Sequence, residues 1–342
     1  MIEIVDIDNP EKWDRIIHSF KEYDVYYLIG YVKAFQIHGD GSPILVYYYS
    51  DDLKGVCVYF KRVIDDLYVD LITPYGYGGF IFEGDVSIVN VKKFYDEYIA
   101  FMQSRNIVSA FVRYHPILKN ANFFREVSTV VDLGCTIDIS LESKEIIWEN
   151  IKSKDRNVIR RAENSNVVIS HGKDPALFEN FMTIYNATMD KDRAIPYYYF
   201  EKEFYDSIAV DLVNNYEIFY ASFEGKIVSM AIIIFANSKM HYHLACSDVN
   251  YRHLASSNLL LYKIACWGVE QGFKIFHLGG GVGANEDGLF RFKKAFNKNS
   301  NNTFSIGKQI FNQHVYNLLV NKKVEDKIDF DLNSDFFPLY RL

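Results

Sequence analysis

The sequence predicts a mixed α/β fold that occurs twice along the chain. Each half contains runs of β-branched and aromatic residues joined by short polar turns. In each half a helix and then two further strands follow. The two series of elements lie about 170 residues apart, as judged from element ends that sequence patterns place to a few residues. Antiparallel strands followed by a β–α–β crossover produce a mixed sheet rather than a doubly wound parallel one.

The first half begins with a helical region at residues 10–38, which ends at the turn formed by residues 39–43. Strands are then predicted where Val, Ile and Tyr recur between acidic turns, at residues 44–49, 55–64 and 67–73. An apolar stripe at helical spacing predicts a helix over residues 86–105. Two more β-rich runs follow, at residues 107–114 and 126–140.

The second half repeats this order. Helices are predicted at residues 144–164, 174–192 and 197–213, and three strands at residues 216–223, 226–236 and 240–246. A helix at residues 256–271, strands at residues 274–278 and 303–311, and a helix at residues 312–325 follow. We therefore expect an N-terminal domain at residues 1–142 and a C-terminal domain at residues 143–342.

Composition excludes several classes of protein. The chain has 342 residues, of which 49% are hydrophobic and 24% charged, so it can bury a core and is not globally disordered. A net charge of -7 argues against a broad electrostatic grip on nucleic acid or an anionic membrane. Its four scattered cysteines, its acidic N-terminus and its short apolar runs predict a cytoplasmic protein without stable membrane insertion.

The densest basic run of this acidic chain lies at residues 152–161. At helical spacing Arg156 and Arg160 lie one turn apart on one face, and Lys154 precedes them. Such a face could hold phosphate groups. The alternative is a solvated helix face that nearby acidic residues balance.

A glycine run, Gly279-Gly280-Gly281-Val-Gly-Ala284, follows the strand predicted at residues 274–278. A dinucleotide-binding fold would place such a run after the first strand and an acidic residue about 20 residues further on. Neither condition holds. The run begins at Gly279, after many predicted strands, and the stretch at residues 301–305 has no acidic residue. We expect instead a tight loop at the carboxyl edge of the sheet, where a ligand approaches the backbone.

A second candidate loop lies before the helix predicted at residues 256–271. Arg252, Ala255 and Ser257 form a degenerate version of the pattern R-x-x-G-x-G, in which small residues let backbone amides approach a pyrophosphate. Alternatively, Ser256 and Ser257 simply cap the helix.

His241 and His243 share one face of a strand, but no third residue is spaced to complete a metal site. We interpret them as buried or cleft-lining histidines and expect no metal. The motifs of serine hydrolases, zinc peptidases and dithiol proteins do not occur.

Several segments resemble the Fem-like peptidoglycan-bridge transferases, whose members carry two fused acetyltransferase-like (GNAT) domains. The most specific are Leu278-Gly-Gly-Gly281 followed by Asp287-Gly-Leu-Phe-Arg-Phe-Lys293, and the helix start that contains Lys154 and Arg156. Residues 181–199 and 70–79 resemble the family too. The resemblance implies two tandem GNAT-like N-acyltransferase domains, with the acyl-transfer site in the second.

The resemblance also implies residue roles. Phe292 and Lys293 would lie at the acyl centre, where Lys293 stabilises the ester or charge of the donor. Tyr198 or Tyr199 would contact the acceptor and Arg156 one of its phosphates. An aromatic–glycine loop at residues 74–79 follows the strand predicted at residues 67–73. The binding set further contains two tyrosines of this loop, His243, and residues of the basic run, the glycine loop and the degenerate phosphate loop: Tyr75, Tyr77, Lys154, Arg160, Gly279, Gly280, Gly281, Asp287, Arg252 and Ser257.

The implied reaction is acyl transfer to an amine of a cell-envelope precursor, a UDP-linked or lipid-linked amino sugar or muropeptide. No cofactor is permanently bound, and the co-substrate is either acyl-CoA or aminoacyl-tRNA. Such chemistry needs a positioned donor, a neutral amine and hydrogen-bond donors for the oxyanion. The base is open between a bound water, His241, His243, Asp248 and Asp287. A non-catalytic scaffold that binds a nucleotide-linked sugar is the alternative function.

Overall fold

The computed structural model describes residues 1–326 and 330–342. The strands are β1 (Ile2–Asp6), β2 (Ser42–Tyr49), β3 (Leu53–Val63), β4 (Val69–Ile72), β5 (Ile81–Gly84), β6 (Ile107–Arg113), β7 (Val130–Ser140), β8 (Val168–Gly172), β9 (Tyr216–Phe223), β10 (Lys226–Ala236), β11 (Lys239–Ser247), β12 (Ile275–Gly279) and β13 (Asn302–Ile310). The helices are α1 (Pro10–His18), α2 (Ile29–His38), α3 (Ile88–Ser104), α4 (Lys144–Asn150), α5 (Ser153–Glu163), α6 (Pro175–Asp192), α7 (Lys202–Asp211), α8 (Ser256–Glu270), α9 (Gly288–Lys294) and α10 (Gln313–Asp326).

The chain forms two compact units, Met1–Leu133 with Phe304–Leu342 and Gly134–Thr303. The division that the sequence predicted, at residue 142, differs from this arrangement. The physical reason is strand pairing: β13 runs antiparallel to β6, so the C-terminal strand completes the sheet of the first unit. Sequence order alone assigned that strand to the second domain.

The sheet of the first unit has the strand order β1-β2-β3-β4-β6-β13, and β5 pairs with β3. Strands β2, β3 and β4 are antiparallel, and β4 then runs parallel to β6 with α3 between them in sequence. Its core is rich in aromatic side chains, and Tyr98 donates a hydrogen bond to Tyr59 at 3.0 Å inside it.

The sheet of the second unit has the order β7-β12-β11-β10-β9-β8. Strands β8 to β11 are antiparallel neighbours, whereas β11 and β12 are parallel and flank α8 in sequence. Leu260 and Ile264 of α8 pack in one buried cluster with Ile233, Met240 and Phe276 of the sheet. The packing of this face of α8 against the sheet forms the main hydrophobic core of the unit.

These topologies confirm the predicted mixed α/β fold in two copies. The pairing of β12 is antiparallel to β7, which removes the dinucleotide-binding alternative because that fold needs a parallel sheet around the glycine run. Sequence patterns missed β1, β5, β8 and α9, each of which has seven residues or fewer. Elements this short carry too few residues for a periodic signal.

In the described parts of the chain, none of the helices combines the length and apolarity that crossing a membrane requires.

Candidate functional site

An open gap lies between two parallel strands of the second unit. Strand β11 pairs with β12 over Lys239–His241, opposite Ile275–His277, and no further pair joins these strands within the described residues. On its other edge β12 pairs with β7 over its full length, from Ile275 opposite Ser140 to Gly279 opposite Ile137. The rest of β11, Tyr242–Ser247, therefore keeps one hydrogen-bonding edge unoccupied by strand pairing.

A β-bulge on β11 accompanies this divergence. Ile232 and Ile233 of β10 pair with Leu244 and Tyr242, so His243 is the extra residue. Bulges bend a strand and redirect side chains, and they occur often near active sites. Desolvation, together with nearby His241, lowers the pKa of His243 to about 3. His243 is thus neutral at physiological pH and a very weak base.

The register of β11 shows which backbone amides face the gap. The amide of Asp248 donates to the carbonyl of Val228 in β10 at 2.9 Å. Because successive amides of a strand point to opposite sides, the N–H groups of Ser247 and Ala245 point away from β10 and into the gap. Either preorganised amide can donate to an oxyanion, but one oxygen cannot reach both, because nitrogens two residues apart on a strand are separated by about 6.6 Å.

Helix α6 approaches the same edge of β11. The hydroxyl of Thr188 lies 3.4 Å from the carbonyl of Ser247, and the thiol of Cys246 lies 3.9 Å from the carbonyl of Phe181. These contacts fix α6 against the end of β11 that borders the gap.

The N-terminus of α8 has the geometry of an anion-binding loop. Ala255 precedes the helix with a φ of 53°, in the left-handed region that disfavours side chains, and no side chain caps the helix. The predicted alternative, capping by Ser256 or Ser257, is therefore not observed. The first amides of a helix have no intrahelical acceptor and attract anions.

The predicted loop residues around this N-terminus differ in exposure. Ser257 is half-buried and Arg252 is exposed on the preceding 3-10 helix, Val249–Leu254. Asp248 begins that helix by accepting from the amide of Asn250. The hydrogen bond from the Asn250 amide and the interaction with Lys226 lower the pKa of Asp248. Asp248 is therefore a poor base at neutral pH.

The glycine loop and Lys293 come together at the carboxyl end of β12. The Lys293 ammonium donates to the carbonyl of Gly280 at 2.6 Å, and its side chain is 8% exposed. Burial lowers the pKa of Lys293 to about 8, against the opposing effect of Asp287. A salt bridge to Asp287 would be an alternative, structural role for Lys293, but no such pair within 4.0 Å is formed by the described residues.

Asp287 has a local role in shaping this loop. It accepts hydrogen bonds from the amide of Phe290, at 2.8 Å, and from that of Val282, at 3.1 Å. Burial opposes its ionisation, yet these amides and Lys293 hold the pKa of Asp287 below its ordinary value. A side chain at Gly281 would place Cβ 2.0 Å from the carbonyl oxygen of Asn285, so this close turn requires glycine.

Strand β7 packs against the glycine loop, and this contact was not predicted from the sequence. A Cβ on Gly280 would lie 3.0 Å from the carbonyl oxygen of Cys135, and one on Gly134 would lie 2.4 Å from that of Ala284. The available signal was Gly134 itself, because an isolated glycine inside a strand often marks a close backbone approach.

Phe292 and the basic run have structural contacts of their own. The half-buried Phe292 packs edge to face on Phe296, with ring centroids 5.5 Å apart. Arg156 donates to the carbonyl of Trp148 at 3.4 Å, and Arg160 lies over the ring of Trp148 at 5.1 Å. Lys154, by contrast, is exposed at the start of α5. Trp148 thus orients two of the three predicted phosphate ligands.

The predicted tyrosines occupy different units. Tyr198 lies in the 3-10 helix Pro196–Tyr198 between α6 and α7, and the hydroxyl of Tyr199 donates to Asp190 at 2.8 Å. This hydrogen bond raises the pKa of Tyr199. Tyr75 and Tyr77 belong to the first unit, where Tyr75 stacks on Phe35 and Tyr77 packs edge to face on Tyr26.

The first unit has the equivalent strand pair, but side-chain and loop contacts close it. The amide of Arg113 donates to the hydroxyl of Thr73 at 2.9 Å, just beyond the last pair of β4 and β6. The amide of Gly78 then donates to the carbonyl of Arg113 at 2.7 Å. These bonds occupy the end of β6, the counterpart of β12. On β4, the counterpart of β11, the next amide is also occupied, since Thr73 donates to the carbonyl of Phe111 at 3.1 Å. The space is therefore filled in the first unit, which leaves the second unit as the candidate for acyl transfer.

The remaining candidate base, His241, is buried on the paired part of β11. Its ring meets that of His277 edge to face at 5.5 Å, and His277 in turn contacts the hydroxyl of Thr136 at 2.8 Å. His241 therefore belongs to a row of side chains that crosses β11, β12 and β7.

Comparison with known proteins agrees with this geometry. Residues 149–294 match the family described as acetyltransferase (GNAT) domain. The structure of FemX is similar over 92% of this chain and 99% of its own, with 14% identity and a TM-score of 0.69. The fold is that of the Fem-like double GNAT proteins.

Two further solved structures have this double GNAT fold. The C-terminal domain of a putative lysylphosphatidylglycerol synthetase from Agrobacterium fabrum is 13% identical, with 93% of this chain and 95% of its own covered and a TM-score of 0.56. A tandem GNAT protein from the clavulanic acid biosynthesis pathway is 5% identical, with coverages of 91% and 99% and a TM-score of 0.51. Among curated protein sequences none matches. The GNAT match confirms the predicted enzyme class, an acyltransferase.

Proposed function

We propose that this double GNAT protein transfers an aminoacyl or acyl group from aminoacyl-tRNA or acyl-CoA to an amine of a cell-wall or surface-glycan precursor. The observation that carries the proposal is the open edge of β11, with the amides of Ala245 and Ser247 directed into the gap. A purely structural sheet would satisfy such an edge, as the first unit does with the hydroxyl of Thr73 and the amide of Gly78.

In the proposed reaction the amine nitrogen attacks the acyl carbon and forms the new C–N bond. The carbonyl oxygen becomes an oxyanion, which one of the two exposed amides, that of Ala245 or that of Ser247, stabilises. The C–O or C–S bond to the carrier then breaks, the amine gives up a proton, and the carrier oxygen or sulfur takes one up. Lys293, held on Gly280 at the end of β12, supplies positive charge at the acyl centre.

The site supports both donors. The uncapped N-terminus of α8 and the left-handed Ala255 fit the pyrophosphate of an acyl-CoA. The basic surface of α5 supports binding of a phosphate-rich partner, which is either the acceptor or a tRNA. A cell-envelope acceptor is favoured by the similarity to FemX and to a protein that is, by its name, a lysylphosphatidylglycerol synthetase.

The first test is calorimetric titration of the purified protein with acetyl-CoA and, separately, with a UDP-sugar-peptide. Micromolar binding of acetyl-CoA supports the CoA donor. Binding of the precursor without CoA supports the aminoacyl-tRNA donor and a phosphate contact from Arg156. If a panel of acyl-CoA and aminoacyl-tRNA donors transfers nothing while a nucleotide-linked sugar binds, the scaffold function replaces the transferase.

Two variants test the residue roles. Lys293→Ala is expected to lower turnover roughly tenfold or more with the fold intact, because charge stabilisation at the acyl centre is lost. Lys274→Ala, which removes an exposed lysine of the same unit, is the matched control. Arg156→Ala is expected to weaken acceptor binding, whereas Arg161→Ala changes the charge of α5 equally at an exposed position. Equal effects of the two arginine changes would contradict a specific phosphate contact.

A further inference from the structure

The segment that follows α9, residues 295–300, forms hydrogen bonds with two other parts of the second unit. One side meets β7 and the other meets the junction between α4 and α5. The segment is well buried, with Phe296 0%, Asn297 7% and Ser300 6% exposed. It therefore joins the helix that carries Lys293 to two other parts of the unit.

Asp138 makes the contact on the β7 side. Its Oδ1 accepts hydrogen bonds from the hydroxyl of Ser300, at 2.5 Å, and from the side-chain amide of Asn302, at 2.7 Å. The backbone of Asp138 adds two bonds, since its amide donates to Ser300 Oγ at 2.9 Å and its carbonyl accepts from Asn297 at 2.8 Å. The opposite edge of the same residue pairs with His277 of β12.

Asn297 and Lys294 form hydrogen bonds within the segment itself. The side-chain oxygen of Asn297 accepts from the amides of Asn299, at 3.0 Å, and Ser300, at 3.2 Å. The ammonium of Lys294 donates to the carbonyl of Ser300. The segment thus forms a closed turn directly behind the last residue of α9, so its position sets the position of Lys293.

The α4–α5 junction makes the contact on the other side. The amide of Lys152 donates to the carbonyl of Ala295 at 2.9 Å, immediately before the start of α5. Asn150 accepts from the amide of Lys298 at 3.2 Å through its carbonyl and from Asn299 at 2.8 Å through its side chain. The helix start that carries Arg156 is thereby fixed to the same segment.

We propose that Asp138 is a positioning residue that holds α9 and the start of α5 in one frame, so that Lys293 and Arg156 keep their relative placement during acyl transfer. The catalytic part of this inference rests on the proposed function. The mechanical part, the coupling of Asp138 to both helices, does not. Misplacement of a catalytic group by about 1 Å can cost two orders of magnitude in rate.

The chemistry of the contact provides a conservative variant. Both side-chain bonds end on one oxygen of Asp138, so the amide oxygen of Asp138→Asn can accept both. Asp138→Ala removes the acceptor and leaves the buried Ser300 hydroxyl and Asn302 amide without it. Ser140→Ala, a change in the same strand at a side chain that donates to Glu142 at 3.1 Å, is the matched control.

The first arm of the test is hydrogen exchange on the purified full chain, read by mass spectrometry. We expect Asp138→Ala to raise exchange at least several-fold in peptides from residues 288–300 and 149–160, but not in peptides from α8. Asp138→Asn and Ser140→Ala should match the wild type. Unchanged exchange in Asp138→Ala, or an increase that includes α8, would overturn the proposal.

The second arm is steady-state transfer with the donor that the titrations identify. Asp138→Ala should lower kcat tenfold or more with little change in the KM of the donor, and Asp138→Asn should restore kcat to within about twofold. A fall in both variants would show that the hydrogen-bond frame is not the cause. If the wild type transfers nothing, the proposed function fails, and the exchange arm still decides whether Asp138 couples the two helices.

Discussion

Replacing Lys293 by methionine separates the functional use of this lysine from its effect on stability. The side chain is 8% exposed, and burial lowers the pKa of Lys293 to about 8. Methionine has a similar length and no charge, so it fills the same space without the desolvation cost. We expect the variant to lose transferase activity while it becomes relatively more stable at neutral pH than at alkaline pH.

The magnitude follows from the two protonation states of Lys293. The unfolded chain holds the lysine proton up to its ordinary pKa of 10.5, whereas the folded chain releases it near pH 8. Between these values the unfolded state binds more protons, so the stability of the wild type rises with pH. The full difference corresponds to roughly 3 kcal/mol, at ~1.4 kcal/mol per pH unit. Between pH 7.5 and 9.5 about 2 kcal/mol of it should be recovered.

The assay is urea unfolding of the wild type and of Lys293→Met, monitored by intrinsic fluorescence at the lower and the higher of these two pH values. The difference in unfolding free energy between the two proteins should shift by about 2 kcal/mol in favour of the wild type as pH rises. Lys274→Met, at an exposed position, should show no such shift. A constant difference for Lys293→Met would refute the reasoning, because it would mean that Lys293 has an ordinary pKa in the folded protein.

Three further predictions concern backbone geometry and a buried carboxylate. Ala255→Gly should raise the unfolding free energy by up to about 1 kcal/mol, read by urea unfolding, because Ala255 has a φ of 53°. Gly134→Ala should lower it by about 1–3 kcal/mol and reduce turnover, because the new Cβ would lie 2.4 Å from the carbonyl oxygen of Ala284. Asp70→Ala should lower the free energy of unfolding in urea by about 1–3 kcal/mol, since the buried carboxylate accepts charge-assisted hydrogen bonds from Arg341 at 2.9 Å and from Arg62 at 2.8 Å. Neutral effects would contradict each of these structural readings.

Much of the candidate site could be found in the sequence because it consists of local patterns. The glycine loop, Asp287 and Lys293 lie within fifteen residues of chain, and the structure brings them together. The same is true of the degenerate phosphate loop, where small residues and a helix start are neighbours. Strands β9, β10 and β11 were equally accessible, because alternating apolar residues and two-residue turns are local signals.

Other features depend on pairing between distant segments, which local patterns do not encode. Gly134 and Asp138 are about 150 residues from the loop and helix that they support, so their roles emerge only when β7 lies beside β12. The unit boundary is of the same kind, because β13 joins the first sheet from the far end of the chain. Arg156 and Arg160 were found as a basic face, but their contacts with Trp148 required the packing of α4 against α5.

The sequence by itself determined the mixed α/β class, its duplication and the segment that carries the glycine loop and Lys293. It did so because periodicity and loop chemistry act over a few residues. Only the tertiary structure decided which unit has an open strand edge, because that depends on what lies beside the diverging strands. Thr73 and the amide of Gly78 fill that space in the first unit, whereas the end of β11 has no strand partner there among the described residues. It also decided the state of Lys293, since a lysine loses its ordinary pKa only when the fold removes water from around it.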